Sequence, residues 1–238
     1  MTLKSVIKLV GKYVKYPLSL KMDIFKLIKS NEYKKLGLTG FPPNYIFFDR
    51  LNEKSNIIDI GCGFEAEFSV TLINKHKVNA FAVDPTHKHA PFLKKIEEKY
   101  PTNFKHLQYA LSAENGNTVF YEAEDCESGS LLNSHRNVLN NNTKEYEVTL
   151  IDLPELLKIT GLKKVDFLKI DIEGAEYTLF NDKNIEALKC VDQLFLEFHH
   201  ISVKDYTQKD TLKIIKQIEN AGFKSFSNDS LNYLFYKK

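Results

Sequence analysis

One run of this chain breaks a rule that strands of its kind obey. In Val165-Asp166-Phe167-Leu168-Lys169-Ile170-Asp171-Ile172-Glu173-Gly174-Ala175-Glu176, a period of two puts Leu168, Ile170 and Ile172 on one face and Lys169, Asp171 and Glu173 on the other. The Val, Ile and Leu content and the glycine that follows predict a buried parallel strand, and such strands normally read apolar on both faces. Charges at three alternate positions therefore mark either a functional site or a structural ion pair. Ligands of open α/β sheets bind beyond the carboxyl ends of the strands, and Asp171-Ile172-Glu173-Gly174 is such an end. Position thus favours the site.

The rest of the chain supplies the sheet. Asn56–Ile60 reads as a short apolar strand, followed by Gly61-Cys62-Gly63 and a helix to about His76. Val78–Val83 is a second strand, about His89 to Tyr100 a helix, and Phe104–Leu111 a third strand. Thr118–Tyr121 and Tyr146–Leu150 read as antiparallel strands flanking a polar loop, Glu124–Thr143. Leu153–Thr160 is a short helix before the charged strand. After Gly174 come a helix, a strand over Val191–Phe198, a helix over about Thr211–Ala221, and an antiparallel pair, Phe223–Phe226 and Tyr233–Tyr236. Alternating strand–helix units closed by a β-hairpin predict a doubly wound α/β sheet.

Residues 1–45 are expected to form an N-terminal helical arm and residues 46–238 the main domain. The arm carries an apolar stripe of Val6, Ile7, Val10, Tyr13 and Val14, and over residues 1–40 nine lysines face two acids. We expect it to pack on protein, across a homodimer, rather than on lipid. A net charge of +2 creates no field that favours a polyanion, and two arginines, Arg50 and Arg136, are few for base and phosphate recognition. Nucleic acid is therefore not expected as a partner. The three cysteines, Cys62, Cys126 and Cys190, form no Cys-x-x-Cys pair, which excludes a disulfide framework and a cysteine zinc site. No apolar run approaches the roughly 20 residues of a membrane span, and a cytoplasmic protein is expected.

Asp59-Ile60-Gly61-Cys62-Gly63 is a strand running into a glycine turn that opens a helix, where the backbone can approach a ligand. Asp84 closes the next strand, the placement of an acid that binds both ribose hydroxyls. No P-loop is present, Ala66 stands where a dinucleotide fingerprint wants its third glycine, and Asp59, Glu65 and Glu67 crowd the turn. Carboxylates repel a diphosphate and favour a sulfonium with an amino group. S-adenosylmethionine is thus the expected cofactor. A nicotinamide-dependent oxidoreductase and a non-catalytic adenosyl-binding protein are the alternatives.

From Ile57 to His199 the chain resembles the FkbM family of S-adenosylmethionine-dependent methyltransferases. The resemblance lies in Ile58-Asp59-Ile60-Gly61, Ala82-Val83-Asp84-Pro85, Tyr109-Ala110-Leu111-Ser112, Ser128-Gly129-Ser130-Leu131, Asp166 to Glu176, and Leu196-Glu197-Phe198-His199. It departs in a glycine loop one residue longer and in Asp84, where Glu is common. The family implies a Rossmann-like class I methyltransferase with a seven-stranded, mostly parallel sheet and a reversed last strand. It also implies O-methylation, often of sugar hydroxyls in surface glycans or of polyketides. The cofactor-binding residues so implied are Asp59, Gly61, Cys62, Gly63, Glu67, Asp84, Ala110, Leu111 and Asp171.

Methyl transfer to a hydroxyl needs oxygen, methyl and sulfur in line and a route for the hydroxyl proton. Glu197 and His199 share one face of their strand, so His199 is a candidate base oriented by Glu197 or Asp171. Lys169 either neutralises Asp171 or binds a sugar oxygen, and the structural role is favoured. Alternatively Asp171, Glu197 and His199 hold a divalent metal that acidifies the hydroxyl, although mixed carboxylate and imidazole ligands suit Mg²⁺ or Mn²⁺ only loosely. Ser130, His135 and Arg136 in the polar loop, with Glu173, are candidates for binding a sugar or nucleotide-sugar acceptor. His87 and His89 are expected to face solvent.

Overall fold

The computed structural model describes residues 32–42, 44–124 and 128–237. The arm's stripe, Val6 to Val14, and Cys126 lie outside those residues. Its central sheet is built from β3 (Asn56–Ile60), β4 (Asn79–Val83), β5 (Phe104–Leu107), β10 (Phe167–Ile170), β11 (Gln193–Glu197), β12 (Lys224–Ser227) and β13 (Asn232–Tyr236). Their order is β12-β13-β11-β10-β3-β4-β5. β3 pairs in parallel with β4 and β10, as β10 does with β11, whereas β13 runs antiparallel to both of its neighbours. This is the seven-stranded, mostly parallel sheet with a reversed last strand that the resemblance implies. Strand order changes direction between β3 and β10, so the crevice beyond their carboxyl ends is where an α/β sheet binds its ligand.

The two faces follow from alternation along the strands. Ile57, Phe167 and Phe195 enter one apolar cluster with Phe47, Phe68 and Leu72, while Ile58, Leu168, Ile170, Leu194 and Leu196 enter the other. Phe167 has no exposed surface and lies edge-on to Phe68 at 5.0 Å; truncating such a ring costs about 3–5 kcal/mol. Helices α1 (Glu67–His76), α2 (Ala90–Lys99), α4 (Leu153–Thr160) and α7 (Gln208–Asn220) join the strands. Helix α4 occupies the span its sequence predicts because both ends are signalled: Asp152 caps the amide of Glu155 at 2.8 Å, and Gly161 ends it at φ 68°. Helix α7 opens with a Thr207–Asp210 capping box and buries Thr211, Ile214, Ile215 and Ile218.

Strands β1 (Thr39–Phe41) and β2 (Tyr45–Phe47) form an antiparallel ribbon. Tyr45 meets Phe195 at 5.3 Å, and both the amide and the carbonyl of Phe48 bond to the side chain of the buried Gln193. The ribbon therefore packs with the body, although the sequence boundary between arm and domain was drawn beside Tyr45. No helix among the described residues is long and apolar enough to cross a membrane.

Three expectations are corrected. The predicted strand Phe104–Leu111 is two strands: β5 ends at Leu107, Tyr109 N donates back to Leu107 O at 3.0 Å, and β6 (Ala110–Leu111) pairs with β9 (Thr143–Ile151) instead. β9, β7 (Gly116–Ala123) and β8 (Gly129–Ser130) complete a second sheet of order β6-β9-β7-β8. The polar loop holds β8 and the short helix α3 (Arg136–Asn140), with α3 capped by His135. The charged strand stops at Ile170, so Asp171 and Glu173 do not continue its face. Glu173 instead adopts φ 52° and Gly174 φ 103°, in a turn ahead of α5 (Glu176–Leu179) and α6 (Asp182–Ala187).

Candidate cofactor and catalytic site

The carboxyl end of β3 is where the two halves of the site touch. Gly61 has φ 69°, and a Cβ there would stand 1.7 Å from the carbonyl oxygen of Asp171, so only glycine fits between β3 and the end of β10. Gly61 N donates to Val83 O at 2.8 Å, which aligns the turn with the end of β4. Beyond that end, Asp84 is 3% exposed and accepts bonds from Gly63 N at 3.0 Å and Thr86 N at 2.9 Å. Nδ1 of His89 lies 3.3 Å from both of its oxygens. Burial alone would push the Asp84 carboxyl up, but the bonds from His89 and Thr86 outweigh it and hold it below its ordinary value. Thus His89 is buried against Asp84 rather than facing solvent, a role no sequence pattern announced.

Lys169 ties this turn to the charged end. Its Nζ, almost without exposed surface, donates to Gly61 O at 2.6 Å and lies 3.4 Å from Asp59 and 3.3 Å from Asp171. Burial disfavours the ammonium, yet Asp171 and Asp59 outweigh that and keep it charged. This is the structural role favoured for Lys169. Asp59 is corrected as a direct cofactor contact: it has no exposed surface, and its carboxylate is taken up by Ser69 at 2.8 Å and by Lys169.

Past β10 and β11 lie the acids and the imidazoles. His199 Nδ1 donates to Glu176 at 2.9 Å; Glu176, fully buried, also accepts from Ile172 N and Gly174 N. The Nε2 atom points at Glu173 (3.5 Å), Asp171 (3.6 Å) and Glu197 (4.0 Å). Burial works to lower the His199 pKa, but Glu176, Asp171 and Glu173 raise it to about 10. Burial raises Asp171, aided by Glu173 and Glu176 against Lys169 and His199. Burial and Asp171 push Glu197 up to about 7. Glu173 goes the other way, because His135, His199 and Ser128 together outweigh its burial and hold it down.

Around Glu173 the polar loop acts as a clamp. Ser128 Oγ donates to its carboxylate at 3.1 Å, Ser130 Oγ to its carbonyl at 2.7 Å, and His135 Nε2 faces it at 3.0 Å. Ser130 and His135 are each 1% exposed, so they hold Glu173 rather than present their own polar atoms to a ligand. Arg136 is exposed and joins the site only through its backbone, donating to Ser202 O at 2.8 Å. Ser130 and His135 are thus corrected as direct acceptor contacts, while the Arg136 side chain lies outside the cavity lining.

A cavity of about 280 Å³ unites the two ends, near the lower limit of roughly 300 Å³ for small-molecule pockets. Of the expected cofactor residues, Gly61, Cys62, Gly63, Glu67, Asp84, Ala110, Leu111 and Asp171 line it, and so do Lys169 and Glu173. Glu197 and His199 stand behind that lining. For a metal, Asp171, Glu173 and His199 each bring one ligand atom within 4.8 Å of the others. Glu173 therefore replaces Glu197 in the set the sequence suggested.

The Methyltransferase FkbM domain matches residues 56–225, from the first core strand into β12. The chain belongs to the FkbM methyltransferase family. The family is one of methyltransferases, which counts against the nicotinamide oxidoreductase.

Solved structures similar to this FkbM protein include M. capricolum TrmK in complex with S-adenosyl-homocysteine (TM-score 0.41, 14% identity, 79% of this chain and 65% of that one). Another is the Geobacter metallireducens precorrin-6y C5,15-methyltransferase (TM-score 0.44, 14% identity, 79% and 83% covered). A third is Aeropyrum pernix fibrillarin with natively bound S-adenosyl-L-methionine (TM-score 0.44, 11% identity, 90% and 72% covered). The FkbM protein spans 65% of the length of TrmK. At these TM-scores the likenesses add nothing to the strand order itself. No curated protein matches the sequence.

Proposed function

We propose that this FkbM protein transfers the methyl group of S-adenosylmethionine to a hydroxyl of a sugar, nucleotide-activated or within a glycan. The observation that carries the reading is that Asp171 and Glu173, at one end of a cavity whose other end is the glycine turn and Asp84, have Glu197 and His199 directly behind them. In this arrangement Asp84 accepts hydrogen bonds from the ribose hydroxyls, while Gly61 to Gly63 let the backbone approach the amino-acid part of the cofactor. Glu67 and Asp171 add negative charge that suits its ammonium and sulfonium. A rim of carboxylates repels a phosphate backbone and accepts hydrogen bonds from a polyol, so we favour a sugar over a nucleic acid.

The step needs no redox partner. The acceptor oxygen forms a bond to the methyl carbon as the carbon–sulfur bond breaks, and the electron pair leaves with sulfur as S-adenosylhomocysteine. The hydroxyl proton passes to a carboxylate. At about 7, Glu197 suits that transfer near neutral pH, since a base works best with a pKa near the operating pH. Without a metal, His199, raised to about 10, stays an imidazolium at that pH and orients Asp171 and Glu173 rather than taking the proton.

Calorimetric titration with S-adenosylmethionine and NAD, followed by methyl-labelled cofactor with panels of nucleotide sugars, free glycans and RNA, tests the reading. Binding of the sulfonium cofactor alone and label on a sugar are expected. Cofactor binding with no acceptor labelled would favour a non-catalytic adenosyl-binding protein, and label on RNA would replace the sugar.

A further inference from the structure

At the acid cluster each ligating group is held by a neighbour outside the set and turned toward the others. Glu176 holds Nδ1 of His199, which fixes the tautomer and turns Nε2 inward. Lys169 neutralises Asp171 at Oδ2, and Oδ1 faces His199. Ser128 donates to Oε1 of Glu173, and Oε2, 3.0 Å from Nε2 of His135, also faces Nε2 of His199. The Glu173 turn carries a left-handed φ of 52° that a non-glycine residue adopts only under constraint. Three side chains from two strand ends are thus aimed at one point.

The spacing discriminates between a hydrogen-bonded cluster and a ligand set. Nε2 of His199, whose side chain is nine-tenths buried, stands 3.5 Å from Glu173 and 3.6 Å from Asp171, longer than a good N–H···O bond. Two ligands on one small cation, each bound at about 2.1 Å and at right to tetrahedral angles, stand roughly 3.0–3.5 Å apart. The two distances to Nε2 stand at or just beyond the upper end of that span, and all three ligand atoms lie within 4.8 Å of one another, so a small inward shift closes them on a cation.

We propose that Asp171, Glu173 and His199 bind a divalent first-row transition cation, Zn²⁺ by preference and Mn²⁺ more loosely. One imidazole and two carboxylates are borderline-to-hard ligands, softer than the all-oxygen shells Mg²⁺ and Ca²⁺ take. A cation there takes the place of the proton on Nε2. It sits where Asp171 and Glu173 reach the cavity, and it polarises and acidifies an acceptor hydroxyl. That use rests on the methyl transfer proposed above; the binding does not.

The test measures binding, not turnover. The full-length protein is stripped with chelator, dialysed and titrated with Mn²⁺, following the loss of the free-ion paramagnetic resonance signal, with Zn²⁺ as competitor. One saturable site per chain is expected, displaced by Zn²⁺. Glu173→Gln and His199→Asn should abolish it, and Glu176→Gln, which alters the orienting bond and removes no ligand, should weaken it about 10–100-fold. Glu186→Gln, on an exposed surface pair, should bind as the parent does, and thermal melts check that each variant is folded. No saturable Mn²⁺ or Zn²⁺ binding by the parent, or binding that folded Glu173→Gln retains in full, overturns the site. Bound metal without labelled sugar would leave the site standing and remove the acceptor class.

Discussion

Glu176, which has no exposed surface, accepts the Nδ1 hydrogen of His199 at 2.9 Å, so a fully buried carboxylate sets the direction of the imidazole. His199 is raised from an ordinary value of about 6.5 to about 10. Its folded pKa lies above its unfolded one, so this contribution to stability is complete below about pH 6.5 and is lost as pH rises to about 10. In chelator-treated protein, Glu176→Gln should lower the His199 midpoint by more than one unit in an NMR titration and flatten the fall of stability across that window. An unchanged midpoint would show that Glu176 does not govern the ring.

Lys169 carries a different cost. It is the buried cation between Asp59, Asp171 and the Gly61 carbonyl. Lys169→Met removes one partner and leaves two acids unneutralised, a loss of about 3–5 kcal/mol in urea denaturation. A loss under about 1 kcal/mol would mean that water or a proton replaces the ammonium without difficulty.

Two titrations shape the rate. In metal-free protein, with Glu197 as base at about 7 and His199 as a cation to about 10, kcat should rise through about pH 7 and fall near pH 10. Glu197→Gln should lower kcat by about 10²–10⁴ and remove the acid limb, with cofactor affinity nearly unchanged. An acid limb that survives this substitution assigns the proton to Asp171 or to the metal-bound acceptor.

Much of this site was legible because the charged strand violates the pattern of a buried parallel strand. Lys169, Asp171 and Glu173 stood out for that reason, and Asp84 stood out by its place after the glycine turn. What the sequence hid depends on turns. Period two put Asp171 and Glu173 on one strand face, but the strand ends at Ile170 and a left-handed Glu173 brings the two carboxylates to His199 instead. Ser130 and His135 read as candidate acceptor contacts in a polar loop, and only the return of that loop past the end of β10 shows them, with Ser128, as the clamp on Glu173. Glu176 closed the charged run without a role of its own and His89 read as solvent-facing, because an acid at a helix start and a histidine near a turn are ordinary.

Asp84 tests the cofactor end by itself. Asp84→Ala should weaken S-adenosylmethionine binding by about 1.5–3 kcal/mol, the range for hydrogen bonds to a charged group. Calorimetry on the folded variant measures it, and affinity equal to the parent's would move the ribose elsewhere.

The most direct measurement of the central claim is where the methyl group goes. The protein is incubated with S-adenosylmethionine labelled in its methyl carbon and with the panel of nucleotide sugars, and the products are read by carbon NMR. We predict an ether methyl on one sugar hydroxyl, formed together with S-adenosylhomocysteine and lost in Asp171→Asn. Label found on nitrogen, carbon or RNA, or never leaving the cofactor with any sugar, would contradict methylation of a sugar hydroxyl.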